Sequence, residues 1–296
     1  MIAFTCPERH QQPAADTVRR GASMGGHTRN GEGRLIRNRY LLRELLGQGG
    51  MGAVWLAQDQ LLRRDVAVKE VIFSCGPTEE QRKIRFDRSL REARSSARLR
   101  HPAIIEVYDA FERDGRLWIV MRYFPGRSLA AILLDLGSLA PERVAHIGVV
   151  VLDALTAAHS LGVVHRDVKP ANILIAETGE IVLTDFGVAF VDGETTLTLH
   201  GEVLGTCLYM APEQLCGELA APSADLWALG ATLYEAVQGH PPCVGPDASL
   251  PASAPLTPII NGLMRKDPEQ RLTAHLAGQM LAEIARRPED PREGAV

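Results

Sequence analysis

Two polar clusters stand close together in the second half of the chain and limit the folds open to it. The first is His165-Arg166-Asp167-Val168-Lys169-Pro170-Ala171-Asn172. The second, Asp185-Phe186-Gly187, begins thirteen residues after Asn172. Between them Ile173 to Ile175 and Ile181 to Thr184 read as short strands around a turn at Thr178-Gly179. Asp167 can orient a hydroxyl and accept its proton. Lys169 can neutralise charge on a moving phosphoryl group. Asn172 and Asp185 are hard oxygen ligands suited to Mg²⁺. Phosphoryl transfer asks for positioning and charge neutralisation more than for covalent chemistry, and these residue types supply both.

Three further motifs occur in order around these clusters. Gly47-Gln48-Gly49-Gly50-Met51-Gly52-Ala53-Val54 is a glycine-rich stretch, Val66-Ala67-Val68-Lys69 is an alternating strand ending in lysine, and Ala211-Pro212-Glu213 follows Asp185. With the two polar clusters they resemble the protein kinase family from about Tyr40 to about Ala285. The wording Gly-Gln-Gly-Gly-Met-Gly and Tyr209-Met210-Ala211-Pro212-Glu213-Gln214 resembles the eukaryotic-like serine/threonine kinases of bacteria. Any one motif alone is weak. A Gly-x-Gly-x-x-Gly can also be a dinucleotide fingerprint, with Glu70 near the place of an acidic ribose ligand, but that reading needs a helix directly after the glycines. Ala53-Val54-Trp55-Leu56-Ala57 reads as a strand instead.

The resemblance implies an α+β, bilobal fold with a small β-rich N-lobe (35–121), a hinge (122–126) and a larger helical C-lobe (127–286). A disordered leader (1–34) and a flexible tail (287–296) flank it. It implies ATP as phosphate donor, Mg²⁺ or Mn²⁺ as metal, and protein Ser/Thr hydroxyls as acceptors. Asp167 would be the base, with Lys69 and Lys169 on phosphates and Asn172 and Asp185 on the metal. Glu92, on a charged helix, would hold Lys69, because a buried lysine needs a carboxylate to stay charged. Gly47, Gln48, Gly49, Gly50, Met51, Gly52 and Val54 would cover the nucleotide, and Ala67, Met121, Tyr123, Phe124 and Leu174 would line its adenine pocket. Met121 would be the gatekeeper. Arg166 marks control by phosphorylation of the loop carrying Thr195, Thr196 and Thr198, since a guanidinium can clamp a phosphate bidentately. Lys169 with Gly205-Thr206 before Tyr209 resembles the Ser/Thr subfamily, and Thr206 would bond Asp167 and Lys169. Autophosphorylation between two copies of the chain is compatible with this pattern.

The resemblance also gives some residues structural roles: a Glu213–Arg271 ion pair, Asp225 bracing the catalytic loop, and His165 as a structural histidine. Trp227 reads as core. Three departures stand out. Arg122 occupies a hinge position that often carries Glu. Ser96 replaces an apolar contact one turn after Glu92. Only thirteen residues, Cys243 to Pro255, lie between Pro242 and Leu256, where the family fits another helix. The alternative reading is a pseudokinase acting as a nucleotide-binding or scaffolding module. A small-molecule kinase ranks last, because the Ala-Pro-Glu segment is present.

Composition enters as a set of exclusions. A formal charge of −4 argues against nucleic acid as main partner. Five scattered cysteines without metal or redox spacing fit a reducing cytosol. The most apolar long stretch, Val144 to Leu161, contains Asp153 and two histidines and reads as a buried helix, so a cytoplasmic protein without a membrane span is expected. Predicted helices cover 79–99, 141–161, 223–237 (capped by Ser223), 256–264 and 273–285; strands cover 104–111 and 116–121, joined by a turn at Asp114-Gly115.

Overall fold

Period-two alternation builds the first half of the chain. A computed structural model describes residues 31–49, 52–72, 78–186, 207–218, 220–242 and 254–287. Most of the expected leader and tail, Gly50, Met51, the loop threonines 195, 196 and 198, Thr206 and the shortened segment 243–253 lie outside these residues. Strands β1 (Leu35–Ile36), β2 (Tyr40–Gly49), β3 (Gly52–Asp59), β4 (Arg64–Val71), β5 (Val107–Arg113) and β6 (Arg116–Arg122) form one antiparallel sheet in the order β1-β2-β3-β4-β6-β5. Successive side chains of a strand point to opposite faces. Ala53, Trp55 and Ala57 of β3 and Val66 and Val68 of β4 therefore enter one core with Tyr40, Phe111 and Trp118. Their neighbours Val54 and Ala67 turn to the other face. Lys69 follows Ala67 by two residues and pairs in register with Val54 and Ile119, so the strand delivers it to that second face as well. The turn between β5 and β6 uses left-handed backbone at Asp114 and Gly115, a geometry that matches hairpin twist.

Helix α1 (Glu79–Ser96) packs on β5 and β6 through Phe86, Leu90 and Ala93. The Thr78 hydroxyl accepts from the Gln81 N–H, and Glu79 and Glu80 complement the helix N-terminus. The helix is shorter than the predicted 79–99, ending at Ser96, and its Ile84 is exposed. The strand expected from Ile104 begins at Val107. Residues 103–105 instead join the second lobe: the Leu183 N–H donates to the Ala103 carbonyl and the Ile105 N–H to the Leu183 carbonyl.

After β7 (Arg127–Ser128) the chain is mainly helical: α2 (Leu129–Leu136), α3 (Pro141–Ser160), α4 (Pro212–Leu215), α5 (Pro222–Gln238), α6 (Thr257–Leu263) and α7 (Ala274–Ala285). Pro141 sits at the first turn of α3 and Gly162 turns left-handed just beyond its end. Buried residues of α3, α5, α6 and α7, among them Ile147, Leu155, Leu229, Leu233, Ile260 and Leu281, form the larger core. Ser223 does not cap α5. Pro222 takes the first helical position, and the Ser223 carbonyl accepts a hydrogen bond from Arg271. Strands β8 (Ile173–Ile175) and β9 (Ile181–Leu183) form the expected hairpin, with β7 alongside. No helix among the described residues is long and apolar enough to cross a membrane.

Candidate active site

The catalytic-loop backbone is held from beneath by one carboxylate. Asp225, on the first turn of α5 and 1% exposed, accepts the backbone N–H groups of His165 and Arg166, each at 2.8 Å. Its Oδ2 also lies 2.7 Å from His159 Nε2. A carboxylate accepting several N–H bonds is held in place by them. His165 is fully buried. Its Nε2–H donates to the Thr184 carbonyl at 2.9 Å, and Nδ1 accepts the Asp167 N–H at 3.2 Å. Both ring nitrogens serve the backbone, so the residue is structural. Arg166 adopts a left-handed φ of 69°, which separates the direction of its side chain from that of Asp167.

Asp167, 8% exposed, then presents its carboxylate to Lys169 Nζ at 2.8 Å and to the Asn172 amide at 3.0 Å. The same Asn172 amide nitrogen donates to the Asp167 carbonyl at 2.7 Å. With its NH₂ committed, Asn172 has Oδ1 as the atom able to ligate a cation. Asp185 arrives from the far end of the β8–β9 hairpin with a left-handed φ of 66° and meets Lys69 Nζ at 2.7 Å. Burial by itself favours the neutral acid at Asp185, but the charge and hydrogen bond of Lys69 hold the carboxyl below its ordinary range. It is therefore a carboxylate at neutral pH.

Above these groups lies an apolar layer. Ala67, Ile105, Met121, Phe124 and Val182 cluster, with Val54, Leu174 and Ala176 packed against them. Among the described residues, the backbone–backbone hydrogen bonds of this edge stop at Arg122, whose N–H donates to the Glu106 carbonyl; those of Tyr123 and Phe124 are not used. Gly52 is required by close approach: a Cβ there would meet the Glu70 carbonyl oxygen at 1.8 Å. A Cβ at Gly47 or Gly49 would meet nothing within 4 Å, so their smallness is not demanded by packing inside the chain. The glycines lead into strand β3 and not into a helix, and Glu70 pairs with Arg116, which removes the dinucleotide reading.

The chain matches the protein kinase domain over residues 40–281. It belongs to the protein kinase family. It is 40% identical over 216 residues to the serine/threonine-protein kinase PrkC of Bacillus subtilis, covering 73% of this chain and 33% of that protein. It is 41% identical over 211 residues to PknE of Mycobacterium tuberculosis, covering 71% and 37%. PknB of the same species is 37% identical over 267 residues, covering 86% and 41%. The chain thus spans about a third to two fifths of the length of these curated relatives.

Within the kinase domain one contact departs from expectation. Glu92 pairs with Arg166, Oε1 to Nη1 at 2.5 Å, while Lys69 pairs with Asp185. No Lys69–Glu92 ion pair forms among the described residues. In protein kinases a lysine–glutamate pair must be in place for transfer, and here Glu92 and Lys69 hold other partners. The physical reason is competition. Arg166 occupies a carboxylate oxygen of Glu92, and Asp185 occupies Lys69.

The structural residues fall as the motifs implied. Arg271 grips Glu213 bidentately at 2.7 and 2.9 Å and also donates to the carbonyls of Ser223, Arg265 and Lys266. Burial alone would raise the Glu213 carboxyl, but Arg271 holds it low. Trp227, read as core, is half-buried under the Arg271 guanidinium. Sequence reasoning missed Val182, Ile105 and Ala176 in the apolar layer, His159 behind Asp225, and Glu235, which accepts the Tyr209 hydroxyl. Alternation along β9 could have revealed Val182. The other contacts join segments distant in sequence and carry no local signal. Cys207 is a half-buried free thiol.

Proposed function

We propose that this kinase domain transfers the γ-phosphoryl group of ATP to protein Ser or Thr hydroxyls. The observation that carries the reading is the convergence of two ion pairs, Lys69–Asp185 and Asp167–Lys169, with Asn172, beside an apolar layer whose edge, Tyr123 and Phe124, makes no backbone–backbone hydrogen bond among the described residues. Adenine fits the layer formed by Val54, Ala67, Met121, Phe124 and Leu174. Its polar edge would meet the backbone of Arg122 to Phe124. Glycines at 47 and 49 leave open space where phosphates approach backbone N–H groups.

The residues present fit Mg²⁺ or Mn²⁺. Among the described residues no group of three or more His, Cys, Asp or Glu gathers to hold a metal alone. One carboxylate and one amide oxygen match a cation that takes its remaining ligands from phosphate and water. Asp185 and Asn172 would hold it, and when bound it neutralises charge on the phosphate oxygens. Asp167 orients the acceptor hydroxyl and takes its proton. Lys169, 2.8 Å from Asp167, stabilises the equatorial charge of the transferring group. Lys69 anchors the α- and β-phosphates.

The Glu92–Arg166 pair supports a reading of regulation. Phosphate on Thr195, Thr196 or Thr198 would attract Arg166 and release Glu92 toward Lys69. A second copy of the chain is a suitable first acceptor. Thr206 would complete the acceptor side, and a reducing cytoplasm suits the free thiols of Cys207 and Cys216.

The test is incorporation of labelled phosphate by purified protein with ATP and Mg²⁺, beside Asp167→Asn and Lys69→Met. Loss of about 10²–10⁴-fold for Asp167→Asn is expected from removing a general base, with label on Ser and Thr only. Undiminished transfer by Asp167→Asn would defeat the reading, and nucleotide binding without transfer in the wild type would favour the scaffolding alternative.

A further inference from the structure

Ser96 lies on the last turn of α1, is 5% exposed, and has two acceptors around its hydroxyl. Oγ is 3.0 Å from the Glu92 carbonyl, one turn back on its own helix, and 3.2 Å from the Phe186 carbonyl, ninety residues away in sequence. A serine hydroxyl has one proton to give. The Glu92 carbonyl is already in reach of the helix ladder. For the Phe186 carbonyl, no other donor stands among the described residues. A buried carbonyl without a donor is costly, so the proton is better placed on Phe186.

Phe186 is thereby fixed at two points. Its ring is 4% exposed and packs against the His165 ring with centroids 4.4 Å apart. Its carbonyl is tied to α1 by Ser96. Asp185, the residue before it, has left-handed backbone and points its carboxylate at Lys69. A one-residue displacement of this peptide chain would swing that carboxylate away. An apolar side chain at position 96 could pack on the Phe186 ring but could not hold its carbonyl.

We propose that Ser96 is a positioning residue for Asp185: a hydroxyl latch from α1 that aims the metal-binding carboxylate. This rests on the reading of Asp185 as a metal ligand. Beside Ser96 lies a cavity of about 140 Å³ lined by Glu92, Leu161, Val163 and Arg166 among others, so one added methyl group has somewhere to go. That allows a controlled pair of substitutions. Ser96→Thr keeps the hydroxyl, and Ser96→Val has the same shape without it.

The experiment measures Mn²⁺ binding to the full chain by electron paramagnetic resonance, with a non-hydrolysable ATP analogue present. The Mg²⁺ concentration for half-maximal phosphoryl transfer is measured alongside. Ser96→Val should weaken Mn²⁺ binding and raise the Mg²⁺ requirement about three- to tenfold, the size of one ordinary hydrogen bond. Ser96→Thr should stay within about twofold of wild type in both. Equal values for Val and Thr, or tighter metal binding by Val, would overturn the latch. If Val fails to fold, Ser96→Cys, a near-isostere with a weak donor, must show the same loss. A wild type that binds Mn²⁺ with the Thr/Val split but transfers no phosphate would sink the kinase reading and leave the latch standing. An active wild type without the split would sink the latch alone.

Discussion

The acceptor side and the nucleotide side of this site are built differently. The loop bearing Asp167 rests on a largely buried framework: Asp225 under two backbone N–H groups, His165 with both nitrogens engaged, and Arg271 locked on Glu213. On the nucleotide side, Glu92 sits on Arg166 and Lys69 on Asp185, so the two residues expected to pair hold other partners. A helix surface with competing partners can move between discrete arrangements, whereas a satisfied buried network cannot. On the proposed function, the acceptor-side geometry is preset and the assembly of the phosphate anchor is left to an exchange of ion pairs.

The sharpest way to break the preset half is Arg271→Ala. It leaves Glu213 buried without its cation, which costs about 3–5 kcal/mol for a buried pair. A denaturant midpoint should fall accordingly; a loss below about 1 kcal/mol would show that the framework is not what holds this lobe. On the exchangeable side, Glu92→Gln should leave the unfolding midpoint nearly unchanged but reduce the rate of the phosphorylated enzyme by about 10–100-fold, through loss of Lys69 positioning. Equal losses of stability and rate would erase the contrast between the two sides.

Acid should affect both lobes through paired carboxylates. Glu213 is held low by Arg271 despite its burial, and Asp59 is held low first by its hydrogen bonds from Arg39. Depressed folded values mean that the unfolded chain binds protons first as pH falls. Their stabilisation is thus complete at neutral pH, begins to fade near pH 5, and is lost as pH drops through the folded values. Unfolding midpoints between pH 7 and 3.5 should decline in that window, and Asp59→Asn should flatten part of the decline. The smallest effect is expected at Arg122. Its ion pair with Glu180 at 2.7 Å is exposed, so Arg122→Ala should cost no more than about 1 kcal/mol. A larger loss would make this hinge residue part of the framework.

What could be read in the sequence follows the same division. The nearness of Asn172 and Asp185 was legible because the twelve residues between them form a hairpin, and local strands with a glycine turn have local signals. Val54, Ala67 and Lys69 were legible because alternation sends them to one face. The Ser223 cap was misread because Pro222 already opens the helix and a distant arginine takes the Ser223 carbonyl. The partner of Glu92 was misread for a deeper reason. The sequence places Glu92 on a helix, but its choice between Lys69 and Arg166 depends on where that whole helix rests against the sheet. The bond from Ser96 to Phe186 was hidden likewise: serine at that position reads only as a missing apolar contact.

On the proposed function, Arg166 withholds Glu92 until the loop is phosphorylated. The most direct test of this is the phosphoryl-transfer rate of wild type and Arg166→Gln, each measured before and after autophosphorylation. The account predicts a rise of at least about tenfold in wild type, the scale of a coupling worth about 1.4 kcal/mol, and no rise in Arg166→Gln. A wild type already at full rate before phosphorylation, or an Arg166→Gln enzyme that activates as wild type does, would contradict it.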